Sequence, residues 1–305
     1  MNTSEIIEKY IMNAEITDLR KRTIEKILLK QDELFRWGFD KKQARERPEY
    51  IYYSPNFKST LWTLLLLADI KAPVDLPQIK PSIRLVTERF YDPEHGIFRL
   101  PGNIRFPIPC LNGNMIYLHQ YFDTSCSEIL DKTIGFFASY QRFDDGNFRT
   151  PQSFPYCSNI YCYGKHTCFW GVTKLLKGIS FIPRIQRTVE AQQLIENCID
   201  FVLHHEVCFR SRARDKFLHH DIGKLTFPNF YKSDFLEILW LLAREGVHDR
   251  KMSRSLELLR TRMKDGDYWE LVKPMNILVS IGPKDCANAF ITERAAGVLD
   301  YYYGH

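Results

Sequence analysis

Three residues in the middle of the chain, Cys162, His166 and Cys168, offer the thiolate and imidazole groups that zinc prefers. If this stretch is helical, Cys162 and His166 lie one turn apart, and Cys110 or Cys286 could supply a fourth ligand. These residues predict a zinc site, which would keep one position open if it were catalytic. The alternative is that the cysteines are small apolar residues of the core, as free cysteines commonly are.

Lys58 and Lys232 indicate a different chemistry, the binding of an anion such as a diphosphate or a carboxylate. Lysine supplies a compact positive charge that suits phosphate. Further residues of the same segments could line an apolar pocket with a few polar groups beside these charges. The candidates are Trp62, Asn114, Phe169, Trp170, Asp234 and Phe235. The alternative is that both lysines are solvated residues on a rim.

Two other polar motifs fit known sites poorly. Asp144–Asp145 is a paired aspartate, but it falls in a turn, whereas protonation-initiated cyclisation needs a buried acid. The segment His219–Lys224, HHDIGK, resembles the metal motif of HD-domain phosphohydrolases, and His204-His205-Glu206 lies nearby. It stands between a basic run and a Phe-Pro segment rather than in an apolar helix. We therefore expect neither of these two chemistries.

The elements that must position these residues follow a repeated pattern. Four turns, EHGIFR, DDGNFR, HEVCFR and KDGDYWE, lead to aromatic residues at intervals of 50 to 61 positions. These aromatic residues are Phe98, Phe148, Phe209 and Tyr268. Two segments with apolar residues at helical spacing precede each turn, so the pattern predicts repeated pairs of helices. Aligning the starts of the first helices gives five equivalent positions: Lys58, Asn114, His166, Lys232 and Asn288.

The two ends of the chain resemble complementary halves of this unit. Residues 1–50 contain a second helix and its turn without a first helix, and residues 284–305 contain a first helix alone. An open array of repeats would instead need polar capping units at both ends. We therefore expect a single domain over residues 1–305, in which the termini meet and close a ring. An irregular helical bundle is the alternative.

The turns resemble the QW motif of the squalene-cyclase and protein-prenyltransferase superfamily. Gln141–Phe148 matches the motif, whereas Glu94–Phe98, Lys264–Trp269 and Gln31–Trp37 are incomplete copies. The segments STLWTLLLLADI (59–70) and KHTCFWGVTKLL (165–176) resemble uncharacterised prokaryotic members of the same superfamily. The resemblance implies an all-α fold, the α/α toroid, in which inner helices line the centre and ligands bind at one mouth.

The resemblance also implies a ligand class. It predicts an apolar, isoprenoid-like or anionic-headed small molecule that is bound, and in an enzyme transformed, in the central cavity. Protein prenyltransferases bind zinc through Asp-x-Cys and a later His, and some sites need a second subunit. Here His166-x-Cys168 replaces Asp-x-Cys, and Lys232 stands where the later His would be. The alternative is a non-catalytic interaction module with a filled ring centre.

Composition narrows the function classes. The 305 residues are 45% hydrophobic and 14% aromatic, with a net charge of only +5, so we expect no nucleic-acid partner. The apolar stretch Leu61–Ala68 is far shorter than the roughly 20 residues of a membrane-spanning helix. The N-terminus is charged throughout and lacks an apolar signal core. The sequence therefore predicts a cytoplasmic protein with reduced thiols.

Overall fold

The structure, a computed structural model, describes residues 3–39, 41–48, 51–53, 57–100, 107–147, 149–156, 160–264 and 267–304. About 52% of the chain is helical and the strands are few and short, which confirms the predicted all-helical class. Buried apolar side chains form a core cluster that includes residues from Ile16 to Leu299. In the part of the chain that is described, no helix has the length and apolar character needed to cross a bilayer.

The elements follow one another in a regular order. The helices are α1 (Thr3–Leu28), α2 (Lys41–Glu46), α3 (Thr60–Asp69), α4 (Ile79–Phe90), α5 (Pro109–Tyr121), α6 (Ser127–Tyr140), α7 (Ile160–Tyr163), α8 (Phe169–Ser180), α9 (Val189–His204), α10 (Phe235–Arg244), α11 (Ser253–Thr261) and α12 (Ala289–Tyr303). The strands are β1 (Tyr91–Asp92), β2 (Ile97–Phe98), β3 (Phe209–Arg210), β4 (Ala213–Phe217), β5 (Thr226–Phe227) and β6 (Lys273–Pro274). They pair as β1–β2 and β3–β4, both antiparallel, and β5–β6, which is parallel.

Each predicted unit contains a buried helix followed by an amphipathic one. The pairs are α3–α4, α5–α6, α8–α9 and α10–α11, so the predicted order of helices is confirmed. All ten residues of α3 are buried, as expected for a helix that is apolar on every side, whereas α4 buries one stripe. The buried helices pack in succession, α3 against α5, α5 against α8, α8 against α10 and α10 against α12.

Two glycines allow α5 and α8 to approach closely. A Cβ atom on Gly113 would lie 2.2 Å from the backbone carbonyl of Lys174, and one on Gly178 would lie 2.5 Å from the Gly113 carbonyl oxygen. Any larger side chain would push the two helices apart. This close contact fixes the position of α8 along α5. It therefore also fixes the level at which the polar side chains of α8 meet the neighbouring helices.

The turns repeat the same hydrogen bond. In three units the backbone N–H of a turn residue donates to the hydroxyl of a threonine 23 positions later, at the start of the next buried helix. The pairs are Trp37–Thr60 at 3.2 Å, Asp144–Thr167 at 3.1 Å and Trp269–Thr292 at 3.0 Å. In this register Asp144, and not Phe148, is equivalent to the two tryptophans. Phe148 itself lies outside the described residues.

The predicted column of five equivalent residues is wrong. Lys58 lies one residue before the N-cap of α3, and His166 and Lys232 lie two residues before the N-caps of α8 and α10. Asn114 is inside α5, which begins at Pro109, and Asn288 is itself the N-cap of α12. The connections differ in length between units, so counting from one apolar run to the next does not preserve the register of the helix starts.

Polar contacts join the two ends of the chain. The carboxylate of Glu293 in α12 accepts hydrogen bonds from Arg20 of α1 at 3.0 Å and from Lys71 after α3 at 2.9 Å. The last helix therefore contacts elements of the first quarter of the chain as well as α10.

Candidate functional site

The predicted zinc ligands are divided between two places. The thiols of Cys162 and Cys168 are hydrogen-bonded to each other, with Cys110 close enough to influence both. His166 instead is 64% exposed, and its Nδ1 lies 3.1 Å from Oδ1 of Asp145. The structure therefore does not assemble the predicted set, because the backbone bridge between Asp145 and His166 holds the imidazole against the preceding turn.

The thiol pair has unequal acidity. The hydrogen bond from Cys162, helped by the backbone N–H groups of Gly171 and Trp170 at the start of α8, lowers the pKa of Cys168 to about 7 although burial opposes it. That hydrogen bond and burial raise the pKa of Cys162. Burial also raises the pKa of Cys110 to about 12. Cys168 is therefore the most acidic thiol of this group.

Several clusters of histidine and carboxylate groups could hold a metal ion. Within the described ranges, three clusters place one ligand atom of each residue within 4.8 Å of the others. They are Asp145–His204–His205, His219–His220–Asp221 and Asp92–Glu94–His95. None of these three clusters of described residues contains a thiol.

The first cluster forms the aspartate–histidine cleft, which we define as Asp145, His166, His204, His205 and Ser211. The Ser211 hydroxyl donates to Oδ2 of Asp145, and Nε2 of His204 lies 3.9 Å from the same oxygen. His205 is buried, and its Nδ1 contacts the Phe209 carbonyl at 3.2 Å. Asp145, His204 and Ser211 line a cavity of about 590 Å³, whereas His166 and His205 do not line it.

Local sequence explains how this cleft forms. Arg142 donates two hydrogen bonds, of 2.7 and 2.8 Å, to the carboxylate of Asp144. It also donates to the backbone carbonyl groups of Tyr163 and Gly164. Arg142 therefore connects the turn after α6 to the segment before α8. Gly146 has a φ of +93°, and a Cβ atom there would lie 2.6 Å from the His166 ring. Glycine is therefore required both for the turn and for the approach of the imidazole.

Hydrogen bonding controls protonation in the cleft. Partial burial raises the pKa of Asp145, but the hydrogen bonds from Ser211 and His166 outweigh it and lower the pKa below its usual value. Burial lowers the pKa of His205, and the nearby Asp145 carboxylate only partly offsets this. The cleft therefore holds an ionised carboxylate beside a histidine that stays neutral at pH 7.

A second cluster forms the lysine mouth, which we define as Asp221, Lys224, Lys232 and Lys273. The Asp221 carboxylate contacts Nζ of Lys273 at 2.7 Å, of Lys224 at 3.3 Å and of Lys232 at 3.4 Å. Burial raises the pKa of Asp221, yet the hydrogen bonds and charges of Lys273 and Lys224 hold it far below its ordinary value. Three ammonium groups thus share one carboxylate.

The lysine mouth opens on a pocket of about 430 Å³. Its lining combines two of the lysines with rings and apolar groups: Phe57, Pro228, Phe230, Tyr231, Lys232, Lys273, Pro274 and Met275. Phe57 stacks on Phe230 and Tyr231, with ring centroids 5.3 and 5.8 Å apart. Asn229 also lines the pocket; Arg294 donates to its Oδ1 at 2.9 Å, and its Nδ2 has no acceptor among the described residues.

The predicted cavity residues contribute unequally to this pocket. Lys232 lines it, and its Nζ lies 4.8 Å from the ring centroid of Trp170. The ring centroid of Trp62 lies 5.2 Å from that of Phe230, which lines the pocket. Asn114 donates a hydrogen bond to the Phe230 carbonyl at 3.1 Å. Lys58 is half-buried and does not line the pocket.

The remaining predicted residues have structural roles. Asp234 caps α10 by accepting from the backbone N–H groups of Glu237 at 2.8 Å and Thr226 at 2.7 Å. Burial raises the pKa of Asp234 to about 6 against these two bonds. Phe235 is fully buried in the core, and Phe169 packs between Phe201 and His205. Asp234, a predicted cavity residue, also lines the pocket at the lysine mouth, whereas Phe169 and Phe235 do not line it.

Sequence reasoning missed two groups that matter here. Lys273 reaches the mouth because β6 pairs with β5, 47 positions earlier in the chain, and no local pattern indicates that pairing. The second group is the central ion cluster, defined as Asp69, Lys174, Lys177 and Glu237, whose four side chains are fully buried. The lysines fall within an otherwise apolar helix, which is the signal that could have identified them.

The central ion cluster fills the space between the buried helices. Lys174 contacts Glu237 at 2.5 Å, and Lys177 contacts both Glu237 at 2.9 Å and Asp69 at 2.7 Å. Burial lowers the pKa of Lys174 to about 8 although Glu237 opposes it, and the two lysines outweigh burial to hold the pKa of Glu237 at about 2. Lys174 also donates at 2.7 Å to the carbonyl of Asn229, a residue that lines the pocket at the lysine mouth.

A third cavity, the distal pocket, lies at the C-terminal ends of the same helices. It has a volume of about 600 Å³ and is rich in aromatic and arginine side chains, among them Tyr117, Tyr121, Phe181, Trp240, Arg244 and Arg294. The lysine mouth and the distal pocket thus lie at opposite ends of the buried helices.

The chain matches no protein-family model and no curated protein sequence.

Proposed function

We propose that this chain binds a small molecule with an anionic head and an apolar, isoprenoid-like body at the lysine mouth. The observation that carries the proposal is the group of three lysines whose ammonium groups surround the carboxylate of Asp221. Two of them, Lys232 and Lys273, line the pocket, where a diphosphate or carboxylate would accept hydrogen bonds from them.

The pocket beside the lysines suits the apolar part of such a ligand. Its volume of about 430 Å³ falls in the range of about 300–1,000 Å³ that is usual for small-molecule sites. Phe57, Phe230 and Tyr231 supply flat apolar surface next to Lys232 and Lys273. Asn229 lines the same pocket, and its Nδ2, which has no acceptor among the described residues, is a neutral donor.

We further propose that the helix pairs form an α/α toroid related to the squalene cyclases and protein prenyltransferases. The repeated turn hydrogen bonds, the successive packing of the buried helices and the contacts of Glu293 with Arg20 and Lys71 support it. Zinc remains the proposed metal, because the chain's clusters offer the imidazole and carboxylate groups that zinc accepts.

Titration calorimetry with three probes tests the binding proposal. We expect geranyl diphosphate to bind more tightly than inorganic diphosphate, which lacks the apolar body, or geraniol, which lacks the charge. Lys232→Ala and Lys273→Ala should each weaken binding at least about tenfold, since a hydrogen bond to a charged group contributes about 1.5–3 kcal/mol.

Lys58→Ala is the matched control, because Lys58 precedes a buried helix as Lys232 does but does not line the pocket. Its binding constants should equal those of the parent protein. If Lys58→Ala weakens binding as much as Lys273→Ala, or if none of the three probes binds, the proposal is wrong.

A non-catalytic interaction module is the second candidate. The filled centre favours it, since Lys174, Lys177, Glu237 and Asp69 occupy the space that a ring-shaped enzyme would leave for substrate. Failure of all three probes to bind would make this the better account of the fold.

A further inference from the structure

We propose that Asp145, His204 and His205 form a zinc site that opens on the aspartate–histidine cleft. This site is separate from the lysine mouth and from the thiols of Cys162 and Cys168. It would hold Zn²⁺ through two imidazole nitrogens and one carboxylate oxygen, with the fourth position left for water or a ligand.

The donor atoms lie close to a zinc geometry. Bonds of about 2.0–2.2 Å in a tetrahedron place donor atoms about 3.4 Å apart. The three ligand atoms here lie within 4.8 Å of one another, and His204 Nε2 is 3.9 Å from Asp145 Oδ2. His204 ends α9 and is 54% exposed, so a small rotation of its side chain closes the remaining gap.

The residues around the proposed ligands fix the tautomer of His205 and the orientation of the Asp145 carboxylate. Nδ1 of the buried His205 faces the Phe209 carbonyl, which can only accept a hydrogen bond, so the proton is on Nδ1 and the Nε2 lone pair is free to bind a metal. His166 and Ser211 hold the Asp145 carboxylate from two sides. Ligand orientation is therefore set before any metal arrives.

The charge of the cleft also favours a cation. Asp145 and Asp200 line the pocket of the cleft together with one arginine, Arg212, whereas Asp144, which also lines it, is paired with Arg142. Arg212 donates to the backbone carbonyl of Asp145 and to Asn147, so its guanidinium does not pair with the carboxylate. Among the described residues, the Asp145 carboxylate oxygens thus contact a hydroxyl and imidazoles, and neither kind of group carries a fixed positive charge.

In the other two clusters, a positively charged side chain already contacts the carboxylate. Asp221, beside His219 and His220, is already neutralised by the lysines of the lysine mouth. Asp92, beside His95, contacts Nε of Arg99 at 2.8 Å. A cation at either place would have to displace a positive side chain, so the aspartate–histidine cleft is the one we assign to the metal.

Titration of the metal-free protein with Zn²⁺ and with Co²⁺ tests this site. We expect one equivalent to bind, and His204→Gln and Asp145→Asn to weaken binding at least about 100-fold. His166→Gln should weaken it about 10–100-fold, as is usual for a residue that orients a ligand. The Co²⁺ form should lack a thiolate charge-transfer band, because no cysteine is a ligand.

Two substitutions serve as controls. His220→Gln removes an exposed histidine beside Asp221, and Cys168→Ser removes the most acidic thiol of its group. Because neither residue is a proposed ligand, neither substitution should change the affinity for zinc. Circular dichroism of each variant checks that the helices are retained. Absence of zinc binding, equal affinity in His204→Gln, or loss of binding in Cys168→Ser would each overturn the assignment.

Discussion

At the residue scale, the surroundings of each histidine decide what it can do. His166 has the spacing to cysteines that predicts a zinc ligand, yet its ring faces Asp145. His205 is part of a His-His-Glu motif in the sequence, yet in the structure it is a buried histidine that has a ring nitrogen within 4.8 Å of the Asp145 carboxylate. The identities of the chemical groups were predictable from the sequence, but their partners were not, because contacts between separate segments set them.

His119 provides a pH test at this scale. It is buried at the end of α5, where Nε2 lies 3.0 Å from the Thr87 hydroxyl and Nδ1 contacts Thr124. Burial lowers its pKa from 6.5 to about 4, so the unfolded chain takes up a proton more readily than the folded protein. Protonation therefore removes stability as pH falls from about 6.5 through 4, by about 3 kcal/mol in total.

Urea unfolding of the parent and of His119→Gln between pH 7 and pH 4 measures this contribution. The variant should lose about 3 kcal/mol less than the parent over that interval, because glutamine does not titrate. The comparison at pH 7 serves as the control, since it gives the cost of the substitution without protonation. Parallel pH profiles for the two proteins would contradict the explanation.

At the element scale, the helix–turn–helix unit is the part of the fold that the sequence predicts best. Apolar spacing located the four helix pairs, and the turns after them are where the pattern placed them. The register within each unit was not predictable, because the connections vary and the aligned residues Lys58 and Asn114 fall at different points relative to their helices. That error in register explains why only Lys232 of the predicted lysine pair lines the pocket.

The indoles of Trp37 and Trp269 test the equivalence of the first and last turns. Each Nε1–H donates at 2.9 Å to a carbonyl ten residues earlier, of Ile27 and Leu259 respectively. Phenylalanine would fill most of the space but lose the hydrogen bond. We expect Trp37→Phe and Trp269→Phe each to lower the free energy of unfolding by about 1–3 kcal/mol.

Chemical denaturation of the two variants provides the measurement, and each variant is the matched control for the other. Because the two turns make the same contacts, the two losses should be similar. A loss in one variant with no change in the other would mean that the turns are not equivalent parts of a repeat.

At the scale of the whole molecule, buried charges connect the helices. Lys174 and Lys177 of α8 bind Glu237 of α10, and Lys177 also binds Asp69 at the end of α3. Hydrophobic patterning predicted that these helices would be buried, but it could not predict that their charged residues meet one another. The ion pairs between these helices were therefore outside the reach of the sequence.

Glu237→Gln tests whether this cluster depends on charge balance. The substitution leaves two fully buried lysines with only Asp69 as a charged partner within the cluster, so unfolding should become easier by about 3–5 kcal/mol. Adding Lys174→Met restores the balance and should recover part of the loss. Urea denaturation measures both variants, and a double variant less stable than Glu237→Gln alone would contradict this explanation.

The lysine mouth connects this architecture to function, and a crystal structure of the protein grown with geranyl diphosphate tests it most directly. We predict that the diphosphate accepts hydrogen bonds from Nζ of Lys232 and Lys273, with the prenyl chain against Phe57, Phe230 and Tyr231. Electron density for the diphosphate in the distal pocket, against Arg244 and Arg294, would contradict the account.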